Sequence, residues 1–380
     1  MKYAREFRDG ALGRAIAREI EKCVEPGRTY RFMEFCGGHT HALVRHGIQD
    51  ILPKNIEMIH GPGCPVCVLP VSKIDAALAL AHKKHISLCV YGDLMRAPGS
   101  NGRSFLRAKS AGADIRMIYS PIDAVRAAMH QPEREFVFMA IGFETTAPAT
   151  ALAIRLARQR KLRNFSVFTN HVLTPPAMDF VLGLDHSEGG DGSKLHGVIG
   201  PSHVSTIIGT APYKALCERY AVALTVAGFE PLDLLQAILM LVHQVNDGEC
   251  RVENQYHRVV SVEGNRSAQE DFSKVFDIRD EFEWRGLGVI PRSGLRINSE
   301  HQHYDAEVRH DLSDTPAADN PACECGSILR GAKKPFDCKL YGSVCTPENP
   351  IGACMVSSEG ACAAHWASRP ARSERVSTHV

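Results

Sequence analysis

The placement of sulfur constrains this chain more than any other feature. Thirteen cysteines occur in 380 residues, and nine of them fall into two groups. Cys36, Cys64 and Cys67 lie in glycine-rich stretches near the start, while Cys323, Cys325, Cys338, Cys345, Cys354 and Cys362 crowd together near the end. Cys23, Cys89, Cys217 and Cys250 stand alone and read as small buried apolar side chains. No apolar run is long enough to span a bilayer, so no membrane role is expected. The first residues, Met1-Lys2-Tyr3-Ala4-Arg5-Glu6-Phe7-Arg8, lack the apolar core of a secretory signal. A cytoplasmic setting is therefore expected, where grouped thiols serve metals or redox chemistry more often than structural disulfides. With 44 basic and 43 acidic residues the chain is nearly neutral, which gives no prior for nucleic acid.

The length suggests two or three domains. Between about residues 30 and 245, short apolar runs alternate with helical segments. Tyr30–Cys36, Ile56–His60, Ile86–Tyr91 and Ile115–Tyr119 read as strands, with helices over Val71–Lys83 (Ser72 as N-cap) and Ile122–His130 (entered by Pro121). The pattern restarts with strands Phe136–Ile141, Phe165–Thr169, Gly197–Gly200 and Ala221–Val226. Helices are expected over Ala147–Gln159, Pro176–Leu182, Tyr213–Arg219 and Leu232–Gln244. Alternation of this kind predicts parallel sheets covered by helices. The expectation is an α/β chain of two similar parallel-sheet, Rossmann-like domains, 30–131 and 132–245. An N-terminal helix within 1–29 is expected to pack with the C-terminal domain. The region 246–366 carries the cysteine cluster and a possible strand at Glu281–Ile290. Ser313–Pro321 reads as a linker, and 367–380 as a flexible tail.

Three stretches follow predicted strands and precede predicted helices: Phe35-Cys36-Gly37-Gly38-His39-Thr40-His41, Gly61-Pro62-Gly63-Cys64-Pro65-Val66-Cys67-Val68 and Gly142-Phe143-Glu144-Thr145-Thr146-Ala147-Pro148. Ligands bind at that edge of open α/β sheets. A thiol near a helix N-terminus has its thiolate favoured. Cys64 and Cys67 can close as a disulfide or hold a metal, and Cys36 offers a third sulfur if the first two loops lie side by side. Iron and zinc both suit such ligands. His39 and His41, two apart in an extended loop, would point the same way, and His39 could orient Cys36 or hydrogen-bond a metal-bound ligand. Glu144 reads equally as a base and as a loop-fixing acceptor. The stretch Gly200-Pro201-Ser202-His203-Val204-Ser205-Thr206 could line the same cleft. No nucleotide-binding fingerprint appears.

Near the end, Cys325, Cys338, Cys345 and Cys362 are spaced C-x12-C-x6-C-x16-C. Four thiolates suit a [4Fe-4S] cluster, whereas zinc ribbons prefer paired Cys-x-x-Cys knuckles. Cys323 and Cys354 are left over and form a candidate redox pair.

Taken together, the four loop motifs resemble the HypD family of hydrogenase maturation factors. So does the tail from Cys325 through Asp337-Cys338, Val344-Cys345-Thr346-Pro347-Glu348-Asn349-Pro350 and Met355-Val356-Ser357-Ser358-Glu359-Gly360-Ala361-Cys362. The resemblance implies a role in making the Fe(CN)2CO group of nickel–iron hydrogenases, with the small chaperone HypC as partner and HypE as cyanide donor. It implies iron held by Cys36, Cys64 and Cys67. It implies a [4Fe-4S] cluster in the C-terminal region like that of ferredoxin:thioredoxin reductase. In this reading Cys64 and Cys67 cycle between disulfide and dithiolate, and His39 and Glu144 assist. The chain acts as a redox-active scaffold rather than a conventional turnover enzyme. A cluster-dependent disulfide reductase and a zinc-stabilised binding module are the competing classes.

Overall fold

The computed structural model describes residues 6–186, 194–312 and 317–369. Nine strands build the two main sheets: β1 (Tyr30–Glu34), β2 (Ile56–His60), β3 (Ile86–Tyr91), β4 (Ile115–Ile118), β5 (Glu135–Gly142), β6 (Phe165–His171), β7 (Gly197–Gly200), β8 (Ala223–Val226) and β9 (Val252–Asn254). All pair in parallel, in the orders β2-β1-β7-β8-β9 and β4-β3-β5-β6. Parallel strands need helical crossovers and are covered on both faces, which is why β5 and β6 are buried almost throughout and β5 is apolar along nearly its whole length.

The strands do not sort at the boundary expected near residue 131. The chain lays down β1 and β2, builds the whole four-stranded sheet from β3 to β6, then returns with β7 beside β1, pairing Met33 with Val198. Nor does the first sheet end at residue 245, since β9 extends it to Asn254. Periodicity identifies strands but not their neighbours, and only the neighbours decide how a chain divides.

The N-terminal helix, Gly10–Cys23, packs against the helix Pro231–Asp247. Gly13 lies under Leu232 and Leu235, Ile20 joins a core with Leu234 and Ile238, and the Asn246 amide bonds the Cys23 carbonyl at 2.7 Å. The helix Val71–Ala81 is preceded by Pro70 with no side-chain cap, so Ser72 is not its N-cap. The Ser72 hydroxyl instead faces the Glu283 carboxylate at 3.4 Å. At Pro121–His130 the expected entry is present, with Ser120 and Asp123 forming a capping box. Glu281–Ile290 is not one strand. Glu281–Trp284 and Gly288–Pro291 form a hairpin, because Gly286 and Gly288 take positive φ between them. Ser313–Pro316 of the expected linker, and 370–380 of the expected tail, lie outside the described residues. Of the lone cysteines, Cys89 and Cys217 are buried as expected, whereas Cys23 is half-buried and Cys250 is exposed.

One apolar core runs from Cys64, Val66 and Cys67 past Leu88, Met139 and Phe143 to Trp284, then on to Cys345, Cys354 and Cys362. Packing thus joins the two sulfur groups, far apart in sequence, through a single interior.

Candidate thiolate site and cysteine cavity

The carboxyl end of β1 sets the first loop. Glu34 is fully buried, and its carboxylate accepts the Cys36 N–H at 2.9 Å, the Thr40 hydroxyl and His60 Nδ1 at 2.9 Å. Burial raises its pKa, while His60, Thr40 and Cys36 pull it back. Cys36 stands immediately before the helix Gly37–Arg45, which begins inside the motif. His39 and His41 are therefore on a helical turn, not an extended loop, and they point apart: His39 is buried and His41 half-buried. The helix N-terminus does not win at Cys36. Burial, then Glu359 and Glu34, push its thiol up to about 12, against the lowering effect of the Gly38 and His203 N–H groups. A neutral His203 places Nδ1 3.7 Å from the Cys36 sulfur, its imidazole pKa lowered by burial.

The second loop abuts the first. Gly37 N–H bonds the Gly63 carbonyl at 3.1 Å and Gly61 N–H bonds the Glu34 carbonyl at 2.9 Å. A Cβ on Gly63 would fall 2.5 Å from the Cys36 nitrogen and 2.6 Å from its Cα, so only glycine allows this approach. Cys64 and Cys67 form a disulfide, with Cα atoms 5.2 Å apart, and both are buried. The Cys67 sulfur lies 3.8 Å from the Ala353 carbonyl oxygen and against Gly360, beside Cys354.

His39 is not placed as a donor to a bound ligand. Its Nε2 faces the Ser202 hydroxyl at 2.8 Å and the Ala227 carbonyl at 3.1 Å, and a carbonyl only accepts, so the proton sits on Nε2. Burial lowers its pKa to about 4, which keeps the ring neutral and leaves the partnerless Nδ1 with a lone pair. His39 thus anchors the Ser202–Val204 stretch, which presents His203. Phe229 stacks on His203 with ring centroids 4.2 Å apart.

The Glu144 carboxylate accepts the Thr174 N–H at 2.8 Å and the Thr174 hydroxyl at 2.9 Å, holding the third loop to the start of the helix Thr174–His186. Burial raises its pKa to about 7, above the unfolded carboxyl range. A raised folded pKa stabilises the fold below the unfolded value, and that contribution fades as pH climbs to about 7. Glu144→Gln should therefore gain stability relative to wild type between pH ~4.5 and ~7 in urea titrations. A constant difference across that range would refute the assignment.

In the C-terminal region, Cys323, Cys325, Cys338, Cys345 and Cys362 line one cavity with Leu340 and Tyr341. The Cys323 and Cys325 sulfurs are 3.3 Å apart, and the Ile351 N–H points at the Cys345 sulfur at 3.4 Å. Cys354 is fully buried beside Cys325. A Cβ on Gly352 would fall on the Cys323 and Cys325 sulfurs, so glycine leaves the cavity its room. Among the described residues, no three His, Cys, Asp or Glu side chains are arranged to hold a single metal ion. A cubane asks for something different, one thiolate for each of four irons around a shared cavity.

Sequence reasoning missed Glu34 and Glu359, and ranked His203 only as a possible cleft residue. A glutamate set between the apolar Met33 and Phe35, just ahead of Cys36, was the available signal for Glu34. Glu359 packs against Gly37, where a Cβ would fall 2.5 Å from its own.

The family model for HypD, described as the hydrogenase formation hypA family, matches residues 11–369. The chain is 60% identical over 366 residues to the hydrogenase maturation factor HypD2 of Bradyrhizobium diazoefficiens, covering 96% of each chain. It is 59% identical over 367 residues to the hydrogenase maturation factor HypD of Rhizobium leguminosarum bv. viciae, covering 97% of this chain and 95% of that one. With the HypD of Escherichia coli it shares 44% identity over 347 residues, 91% of each chain.

Proposed function

The chain belongs to the HypD family of hydrogenase maturation factors, and from that premise we propose that it assembles the Fe(CN)2CO group of a nickel–iron hydrogenase on Cys36, Cys64 and Cys67. The observation that carries this reading is the glycine-mediated contact of the first two loops, which brings the backbone of Cys36 against that of Gly63, next to Cys64. The small chaperone HypC and the cyanide donor HypE are the partners in this reading.

The disulfide is the oxidised form of the site. Two electrons and two protons convert Cys64 and Cys67 to thiols, which lose those protons when they bind the incoming iron. Cys36 keeps its proton until a cation offsets the burial and the carboxylates around it. His203 is neutral and within reach to accept that proton. His39 fixes the stretch carrying His203, and Glu34 fixes the Cys36 backbone. Cys325, Cys338, Cys345 and Cys362 would hold a [4Fe-4S] cluster, which when bound supplies electrons one at a time. Cys323 and Cys354 flank Cys325 as the proposed redox pair.

A cluster-dependent disulfide reductase is the second reading, and the seating of Cys67 against Ala353 and Gly360 favours it. Burial of both sulfurs weighs against it, because a partner's disulfide must reach the attacking thiol. Cys64→Ala separates the two. With HypC co-purified anaerobically, the variant should lose the CN and CO infrared bands while keeping absorption near ~400 nm and ~4 irons per chain. Unchanged bands would exclude Cys64 from the iron site.

A further inference from the structure

A cleft of about 680 Å³ opens beside the cysteine cavity, between the stretch from Arg96 to Arg107 and the segments 317–321 and 348–351. Four arginines line it, Arg96, Arg103, Arg107 and Arg285, against the carboxylates of Asp319 and Glu348. Arg285 is buried and paired with Asp319, and Arg103 pairs with Asp75 at 3.0 Å. Arg96 and Arg107 are exposed, and among the described residues their guanidinium groups bond the carbonyls of Pro347 at 2.7 Å and Gly102 at 2.6 Å, with Arg96 also close enough to the Glu348 carboxylate to help hold its pKa down. In a chain of formal charge +1, this is a local excess of positive charge.

The far wall of the cleft is the outer shell of the cysteine cavity. Ile351 lines the cleft while its N–H points at the Cys345 sulfur at 3.4 Å. Asn320 and Pro321 line it two residues before Cys323, whose sulfur is half-buried and 3.3 Å from that of Cys325. A protein seated there would stand one backbone layer from the sulfurs.

We propose that this cleft is the docking surface for an acidic one-electron carrier protein, which delivers the electrons that open the Cys64–Cys67 disulfide. The proposal rests on the reading of Cys325, Cys338, Cys345 and Cys362 as cluster ligands. Electron-transfer encounters use small interfaces formed by charge steering, and a cleft whose arginines outnumber the carboxylates around them provides that. Two reduced carriers each give up one electron. With two protons from water the disulfide becomes two thiols, and two oxidised carriers leave.

The test uses the full chain, purified anaerobically, and a fluorescently labelled acidic plant-type ferredoxin as probe. Binding is measured at ~50 and ~300 mM salt for wild type, R96E/R107E, R96K/R107K and a control reversal, R14E/R18E, on the N-terminal helix. The expected result is weakening of tenfold or more in R96E/R107E, restoration in R96K/R107K, no change in the control, and loss of wild-type affinity at high salt. Mass spectrometry of alkylated thiols follows opening of the disulfide. R96E/R107E should respond to dithionite as wild type does, but slowly to reduced ferredoxin. Equal ferredoxin binding by wild type and R96E/R107E overturns the proposal. A wild-type chain with no iron, whose disulfide ignores dithionite, overturns it by removing the cluster reading beneath it.

Discussion

Gly63→Ala is expected to abolish the loop site while leaving the C-terminal cysteine cavity intact. The added methyl would fall 2.5 Å from the Cys36 nitrogen and 2.6 Å from the Gly37 nitrogen, and both are backbone atoms. A flexible side chain could swing away, but these atoms are held by the bonds of Cys36 N–H to Glu34 and Gly37 N–H to Gly63. The two loops must therefore separate. Forced overpacking of this kind costs about 1–3 kcal/mol. The chemical effect is larger than the loss of stability, because a shift of about 1 Å is enough to break a ligand set held by geometry. The variant should lose the CN and CO bands and keep the ~4 irons of the cluster and the absorption near ~400 nm. Retention of the bands with normal intensity would show that the contact between the loops is not what assembles the site.

Trp284→Ala is expected to be the most destabilising single change among the positions discussed. Trp284 is fully buried and among the largest such side chains in the chain. Its ring lies 6.0 Å from that of Phe143, and its Nε1–H donates to the Ser293 hydroxyl at 2.8 Å. Truncating a buried tryptophan costs about 3–5 kcal/mol, part of it for the cavity left behind. The damage is not confined to the hairpin, since Arg285 N–H bonds the Val68 carbonyl at 2.8 Å, one residue beyond Cys67. Urea unfolding should show the midpoint falling with little change in slope. Trp284→Phe, which keeps most of the ring, should recover more than half of the loss. A cost below ~1 kcal/mol for the alanine variant would mean the surroundings collapse to fill the space.

Individual elements were legible because apolar periodicity reports burial directly. Ile56–His60, Ile86–Tyr91 and Ala147–Gln159 have the bounds the sequence suggested. Partnership between strands was not legible. Nothing in Tyr30–Glu34 says that its second neighbour is Gly197–Gly200, since both read as buried parallel strands whatever lies beside them. The site shows the same limit. Cysteine and glycine types and spacing pointed to the loops, and the loops do meet. The thiolate expected at Cys36 fails because burial and two nearby carboxylates outweigh the helix N-terminus, and one of them, Glu359, is more than three hundred residues away in sequence. His39 drew attention by its place in the motif, yet its proton is committed to the Ala227 carbonyl, which no local pattern foretells.

The detour of the chain between β2 and β7 has a consequence for synthesis. When the ribosome has released β1 and β2, the inner edge of β1 waits for a strand some hundred and thirty residues downstream, roughly ten seconds of translation or more at usual rates. The strands of the β4-β3-β5-β6 sheet are contiguous, so that sheet can close first and shorten the distance to be bridged. Meanwhile Cys36, Cys64 and Cys67 emerge among the earliest residues, and Ala353 and Gly360, which cover the Cys67 sulfur, among the last. The nascent chain thus carries three uncovered thiols for most of its synthesis, in a state open to premature metal capture or mispairing. Fragments ending before residue 353 should accordingly react with thiol reagents at positions the finished protein shields.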